Sequence, residues 1–129
     1  MLALLFAWYE AREGDLASRS GARIEQLYAE QQSGALVEAV AVVSKVLPDD
    51  NRGSRHQRII VRLDSGHTLL VSHNIDLAPR VDSVRAGDTL GFRGQYEWNS
   101  QGGVVHWTHD DPAGRHPGGW LQHDGQTYR

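Results

Sequence analysis

The chain has 129 residues, enough to bury one hydrophobic core but not two, and 40% apolar with 22% charged residues is the composition of a globular protein with a polar surface. A formal net charge of −3 gives no overall field to draw in a polyanion, which argues against a general nucleic-acid binder while leaving room for a local basic patch. With no cysteine in the sequence, disulfides, thiolate chemistry and Cys-ligated zinc are all excluded.

The N-terminal run MLALLFAW is far shorter than the roughly 20 apolar residues of a membrane span. It is either the apolar side of a packed helix or the remnant of an export signal. The first reading leaves the protein cytoplasmic and the second makes it periplasmic or envelope-associated. Between Leu2 and Gln32 the residues are helix formers without an internal proline, and Ile24, Leu27, Tyr28 and Gln31 recur on one helical face. This predicts one or two helices capped at Gly34, and a division into an N-terminal helical segment, 1–34, and a β-barrel domain, 35–129.

After Gly34 the pattern becomes β. LVEAVAVVSKVL is valine-rich and stops at the polar loop Pro48-Asp-Asp-Asn-Arg-Gly53. His56 to Leu63 alternates, turns at Asp64-Ser-Gly66, and continues as His67 to Ile75, which together predict a hairpin. A longer connection through Leu77-Ala-Pro-Arg80 leads to Thr89–Trp98, where Leu90, Phe92, Tyr96 and Trp98 share one face and Gly94 marks a bend or a close backbone approach. Val104 to Thr108 makes a fifth strand. From Asp111 onward the Gly, Pro and polar content predicts an irregular tail ending in a short strand at 126–128. Five short strands with one long connection suit a mainly β protein with an N-terminal helix, built as a small OB-like closed barrel, because closure removes exposed sheet edges.

The runs VLPDDNRGSRHQRIIVRLDSGHTLLVSHNIDLAPR and GDTLGFRGQYEWNSQGGVVHWTHDDPAGRHPGGWLQHDGQTY resemble a bacterial family known as domain of unknown function number 3465. The resemblance covers about Leu36 to Tyr128. It implies a small exported protein and brings no activity with it. Asp110 stands where the resemblance leads one to expect a further histidine. The DSG turn followed by His73-Asn-Ile-Asp-Leu-Ala-Pro79 is also similar to the early hairpin of staphylococcal-nuclease-like barrels, which supports the fold.

The candidate site is histidine-rich. HWTHDDPAGRH places His106, His109 and His116 with Trp107, Asp110, Asp111 and Arg115, and imidazole serves both metal ligation and proton transfer near neutral pH. Alternation along a strand points residues three apart to opposite faces, so His106 and His109 share a ligand only if the strand ends between them. His73 has the parity of Leu69 and Val71, which places it in or near the core and demands a hydrogen-bond partner from Asn74, Asp76 or a backbone carbonyl. His67, in a turn, reads as solvent-exposed, while Trp98, Trp107 and Trp120 read as core residues or as a stacking surface.

Three functions follow. A binding domain would hold a small anionic or oligomeric ligand with His73, Asn74, Asp76, Arg80, His106, Trp107, His109 and His116. A metal- or histidine-dependent phosphodiester hydrolase would use the same groups, with a divalent metal on His106, His109 and His116. A structural envelope accessory protein would use them to pin the tail. No nucleophile elbow, phosphate-cradling loop or dinucleotide fingerprint supports catalysis.

Overall fold

The computed structural model describes residues 20–129, and the apolar N-terminal run, with the signal-or-helix alternative that rests on it, lies outside the described residues. Residues 20–29 form a helix, α1, that ends earlier than Gly34. Gln31 adopts a left-handed φ of 54°, with its N–H on Tyr28 O and the N–H of Gln32 on Leu27 O, so a glutamine takes the capping position expected of a glycine. Gly34 instead opens the first strand, donating its N–H to Tyr96 O. No helix among the described residues is long and apolar enough to cross a membrane.

The strands are β1 (Ala35–Val46), β2 (His56–Arg62), β3 (Thr68–Asn74), β4 (Thr89–Glu97), β5 (Val104–His106), β6 (Trp120–His123) and β7 (Gln126–Tyr128). The sheet order is β1-β2-β3-β5-β4-β6-β7, and β1 also pairs with β4, which closes the first five strands into a barrel. β1 can serve two neighbours because it is long and bent. Its first part pairs with β4 from Ala35 to Val42, its last part pairs with β2, and the register slips between Val43 and Lys45 in a bulge. The only parallel pairing among the described strands, β3 with β5, completes the ring. This closed five-stranded barrel is compatible with an OB-like fold.

Strict alternation puts Val37, Ala39, Ala41 and Val43 of β1, Ile59 and Val61 of β2, Leu69 and Val71 of β3, and Leu90, Phe92 and Tyr96 of β4 into one core. α1 covers one end of the barrel, contributing Ile24 and Leu27 to that core. There Tyr28 receives the Trp98 indole N–H on its carbonyl and meets the His67 ring at 4.9 Å. His67 is therefore half-buried rather than exposed, with Nε2 on Gly102 O at 2.9 Å. The tail is less irregular than expected: β6 and β7 form a hairpin that adds to the edge of β4 through Gly91, Phe92 and Arg93.

Gly102 and Gly103 are the tightest point of the barrel wall. Both have positive φ, 109° and 98°, and a Cβ on Gly103 would collide with the Tyr96 phenol ring, whose hydroxyl donates to Gly102 O. Replacing Gly103 by alanine combines a disallowed backbone with a core clash and is expected to destabilise the fold by more than about 2 kcal/mol. Urea unfolding checks this; an unchanged midpoint would contradict the packing described for Tyr96.

Candidate functional site

The barrel end opposite α1 is shaped by the β1–β2 loop (47–55), the β3–β4 loop (75–88) and the segment after β5 (107–119). Two polar side chains point inward there. Gln57 and His73 are directly paired across β2 and β3, and both are fully buried. The Gln57 amide donates to Val81 O at 2.8 Å and accepts the Val81 N–H at 3.0 Å, so it acts as a strand partner for one loop residue. His73 places Nε2 2.9 Å from Pro79 O and Nδ1 2.7 Å from Thr108 Oγ1. A carbonyl only accepts, so Nε2 carries the proton and Nδ1 receives the Thr108 hydroxyl. Burial pushes the His73 pKa below its usual value, and the nearby His109 and His56 work in the same direction. His73 is thus the buried, satisfied histidine that its parity predicts, with its carbonyl partner supplied by Pro79.

The neighbours grouped with His73 have other work. The Asn74 side chain accepts the Asp76 N–H at 2.9 Å and shapes the turn after β3. Asp76 accepts both the N–H and the Nε–H of Arg55, at 2.8 and 2.7 Å, and those bonds hold its carboxyl below the usual range. Arg80 grips Asp49 through Nε and Nη2 at 3.0 and 3.2 Å and reaches Asp82 at 3.0 Å. Asp76 and Arg80 are therefore ties between two loops, and Asn74 shapes the turn that carries one of them.

The segment after β5 gathers the remaining candidates. β5 stops at His106, and Trp107 turns sharply with a left-handed φ of 54°, so the alternation that would separate His106 from His109 is broken between them. Thr108 and His109 then turn inward and are buried, while Trp107 stays 37% exposed. The Trp107 indole is flanked by two imidazoles, stacking on His106 at 4.7 Å and on His116 at 4.4 Å. His109 meets His116 edge-on at 5.2 Å. With both partners stacked on it, the indole presents its edge rather than an open face to a ligand. Trp120 does not join this stack; its ring lies over Gly91.

Hydrogen bonds fix each ring. His109 Nδ1 donates to Asp110 O and His116 Nδ1 to Pro117 O, both at 2.8 Å. His106 Nε2 lies 3.3 Å from Glu97, whose carboxyl is held low by the Gln95 amide and by His106. Asp111 organises the following turn. It accepts the N–H groups of Ala113, Arg115 and His116, and although burial raises its pKa, those bonds outweigh burial and keep it ionised. Its Oδ2 lies 3.7 Å from His116 Nε2. Asp110 points away, 3.7 Å from Arg129. Arg115 contributes its backbone N–H to the turn.

The proposed metal trio needs His106, His109 and His116 on one ion, but Trp107 stacks between His106 and His116. Among the described residues no group of three or more His, Cys, Asp or Glu is arranged to hold a metal ion. The structure brings together His106, Trp107, His109 and His116 directly, joins His73 to them through Thr108, and leaves Asn74, Asp76 and Arg80 in a separate loop network. A further buried histidine, His123, pairs with Asp88 at 2.8 Å and fastens the β6–β7 hairpin to the start of β4; this bond is the main reason the Asp88 carboxyl is held low.

The fold and site define a small closed β-barrel with an imidazole–indole cluster on a tail docked at one end. The chain belongs to the family described as protein of unknown function, DUF3465, whose model matches residues 7–129. No curated protein matches it.

His73 generates a pH prediction. Its folded pKa lies below the ordinary 6.5, so the unfolded chain binds the proton first as the solution is acidified. The stability His73 confers is complete above about pH 6.5 and is lost as pH falls from there toward the depressed folded value. His73→Leu should strand the Thr108 hydroxyl and the Pro79 carbonyl, costing about 1–3 kcal/mol for each at neutral pH, and should flatten that part of the profile. Urea titrations at several pH values between 5 and 8 test both effects; an equally steep profile in the variant would assign the dependence elsewhere.

Proposed function

We propose that this protein is a binding module for a small anionic or oligomeric ligand, recognised at the surface formed by His106, Trp107, His109 and His116. The observation that carries the reading is Trp107, a large aromatic residue in a left-handed conformation that costs a non-glycine residue about 1–3 kcal/mol, yet set outward on a tail whose neighbours Thr108 and His109 are buried. Strain of that kind clusters where a side chain must be presented. Its indole N–H has no acceptor among the described residues, and the imidazoles beside it add groups that can donate or accept near neutral pH.

Support for a hydrolase is thinner. Both ring nitrogens of His73 are engaged, and the carboxylates Asp76 and Asp111 are committed to backbone N–H groups. The envelope-accessory reading draws on a different observation: Gln57, His73, Arg80 and Asp111 all serve to hold irregular backbone in place. That reading makes the docked tail the end in itself and gives the unpartnered indole N–H no role.

Thermal shift with nucleotides, oligonucleotides, and acidic and neutral oligosaccharides tests the proposal. One ligand class should raise the Tm, since ligand at a hundredfold over Kd stabilises by about 2.7 kcal/mol. Trp107→Ala should abolish the shift while leaving the barrel folded. No stabilisation by any class would favour the accessory reading.

A further inference from the structure

β1 closes the barrel by serving its two neighbours in turn, and this leaves its first half with a strand on one side only. In an antiparallel ladder the backbone groups of successive residues point alternately to the two sides. Val43 donates its N–H to Asp88 O, on the β4 side. By the same alternation Ala41, Ala39 and Val37 bond to β4, and the N–H and C=O groups of Leu36, Glu38 and Val40 point the other way. β2 would be their partner, but its pairing with β1 ends at Arg62, opposite Val42, and the chain turns back there toward β3. Among the described residues, none supplies a hydrogen bond to the backbone of Leu36, Glu38 or Val40 on that side.

The side chains of the same three residues make this edge selective. They share the outer face of β1 and are exposed, Leu36 by 38% and Val40 by 45%. Glu38 sets one negative charge between them. Arg93 neighbours Glu38 on the β4 side and forms no ion pair with it, so the carboxylate is not committed to that side. An open edge ordinarily invites a second copy of the same chain. Here a two-fold antiparallel pairing that uses all three residues would set Leu36 against Val40 and Glu38 against Glu38, and like charges directly opposite destabilise a sheet. Moving the register by two residues avoids the clash but leaves one of the three without a partner. An extended segment with apolar residues at alternate positions and a lysine or arginine between them meets no such conflict.

We propose that the first half of β1 is a docking edge for an extended peptide segment of another protein, added antiparallel beside residues 36–40 with a basic side chain against Glu38 and apolar side chains against Leu36 and Val40. The backbone bonds supply affinity and the alternate side chains supply selectivity. The edge uses none of the residues of the imidazole–indole surface.

The test is amide NMR of the full chain labelled with 15N, titrated at fixed ionic strength with the end-capped peptide TVTKTVT and, separately, with its charge-reversed control TVTETVT. In the peptide-free chain the amides of Leu36, Glu38 and Val40 should exchange fast while those of Val37, Ala39 and Ala41 are protected. The first three should shift saturably with TVTKTVT, and their exchange should slow at least tenfold in the complex. TVTETVT should bind at least tenfold more weakly, and Glu38→Lys should invert the preference between the two peptides. No saturable shift at those three amides, or equal affinity for the two peptides, overturns the proposal. So does either other occupant of the edge: a wild-type chain that sediments as a dimer with these amides protected would assign it to a second copy, and protection of the same amides in a peptide-free monomer would assign it to a segment of the same chain.

Discussion

The polar pair Gln57 and His73, set side by side inside one mouth of an otherwise apolar barrel, is the constraint on which the rest of this structure depends. Buried polar groups must find partners, and neither residue has one within the barrel wall. Their partners come from outside it: the Val81 backbone for Gln57, and the Pro79 carbonyl and the Thr108 hydroxyl for His73. The two side chains thereby turn the cost of their own burial into an address for two irregular segments. An apolar pair at the same positions would close the barrel equally well and leave those segments without a directional tie.

From that tie the candidate site follows. Thr108 is drawn inward to His73, and its two neighbours are forced into opposite environments, Trp107 outward and His109 inward. The left-handed turn at Trp107 is the geometric consequence, and the stacking of His106 and His116 on the indole offsets its strain. Asp111 then winds residues 111–116 into a compact turn through three backbone N–H bonds, which returns His116 to the indole. The chain leaves this turn at Gly119, squeezed between two carbonyl oxygens, and enters β6 beside Arg93.

Much of this fold was legible in the residue pattern, and the site was legible in part. Alternation placed the first five strands and the inward direction of His73, and Gly94 was a sound marker of close approach, since the His106 carbonyl occupies the space of its Cβ. Gln57 carried the same signal as His73, sharing parity with Ile59 and Val61, yet a glutamine among apolar residues is easily passed over. β6 was missed because four residues after two glycines become a strand only by pairing with β4, a long-range event. Gln31 rather than Gly34 caps the helix, because the backbone hydrogen bonds and not the residue type decide where the left-handed residue falls. Asn74, Asp76 and Arg80 looked like a ligand set because their partners, Arg55, Asp49 and Asp82, sit on loops whose contacts no periodicity encodes.

The claim that the segment after β5 is a docked, hydrogen-bonded part of the fold is tested most directly by amide hydrogen exchange in the native protein. The Gly119 N–H donates to His109 O at 2.9 Å and the His116 N–H to Asp111, so both should exchange orders of magnitude more slowly than an unstructured peptide, with Gly119 approaching the protection of β4. Exchange of both amides at the rate of a free peptide, with β4 fully protected, would mean that the tail is not held by His73, and the account of the site would fall with it.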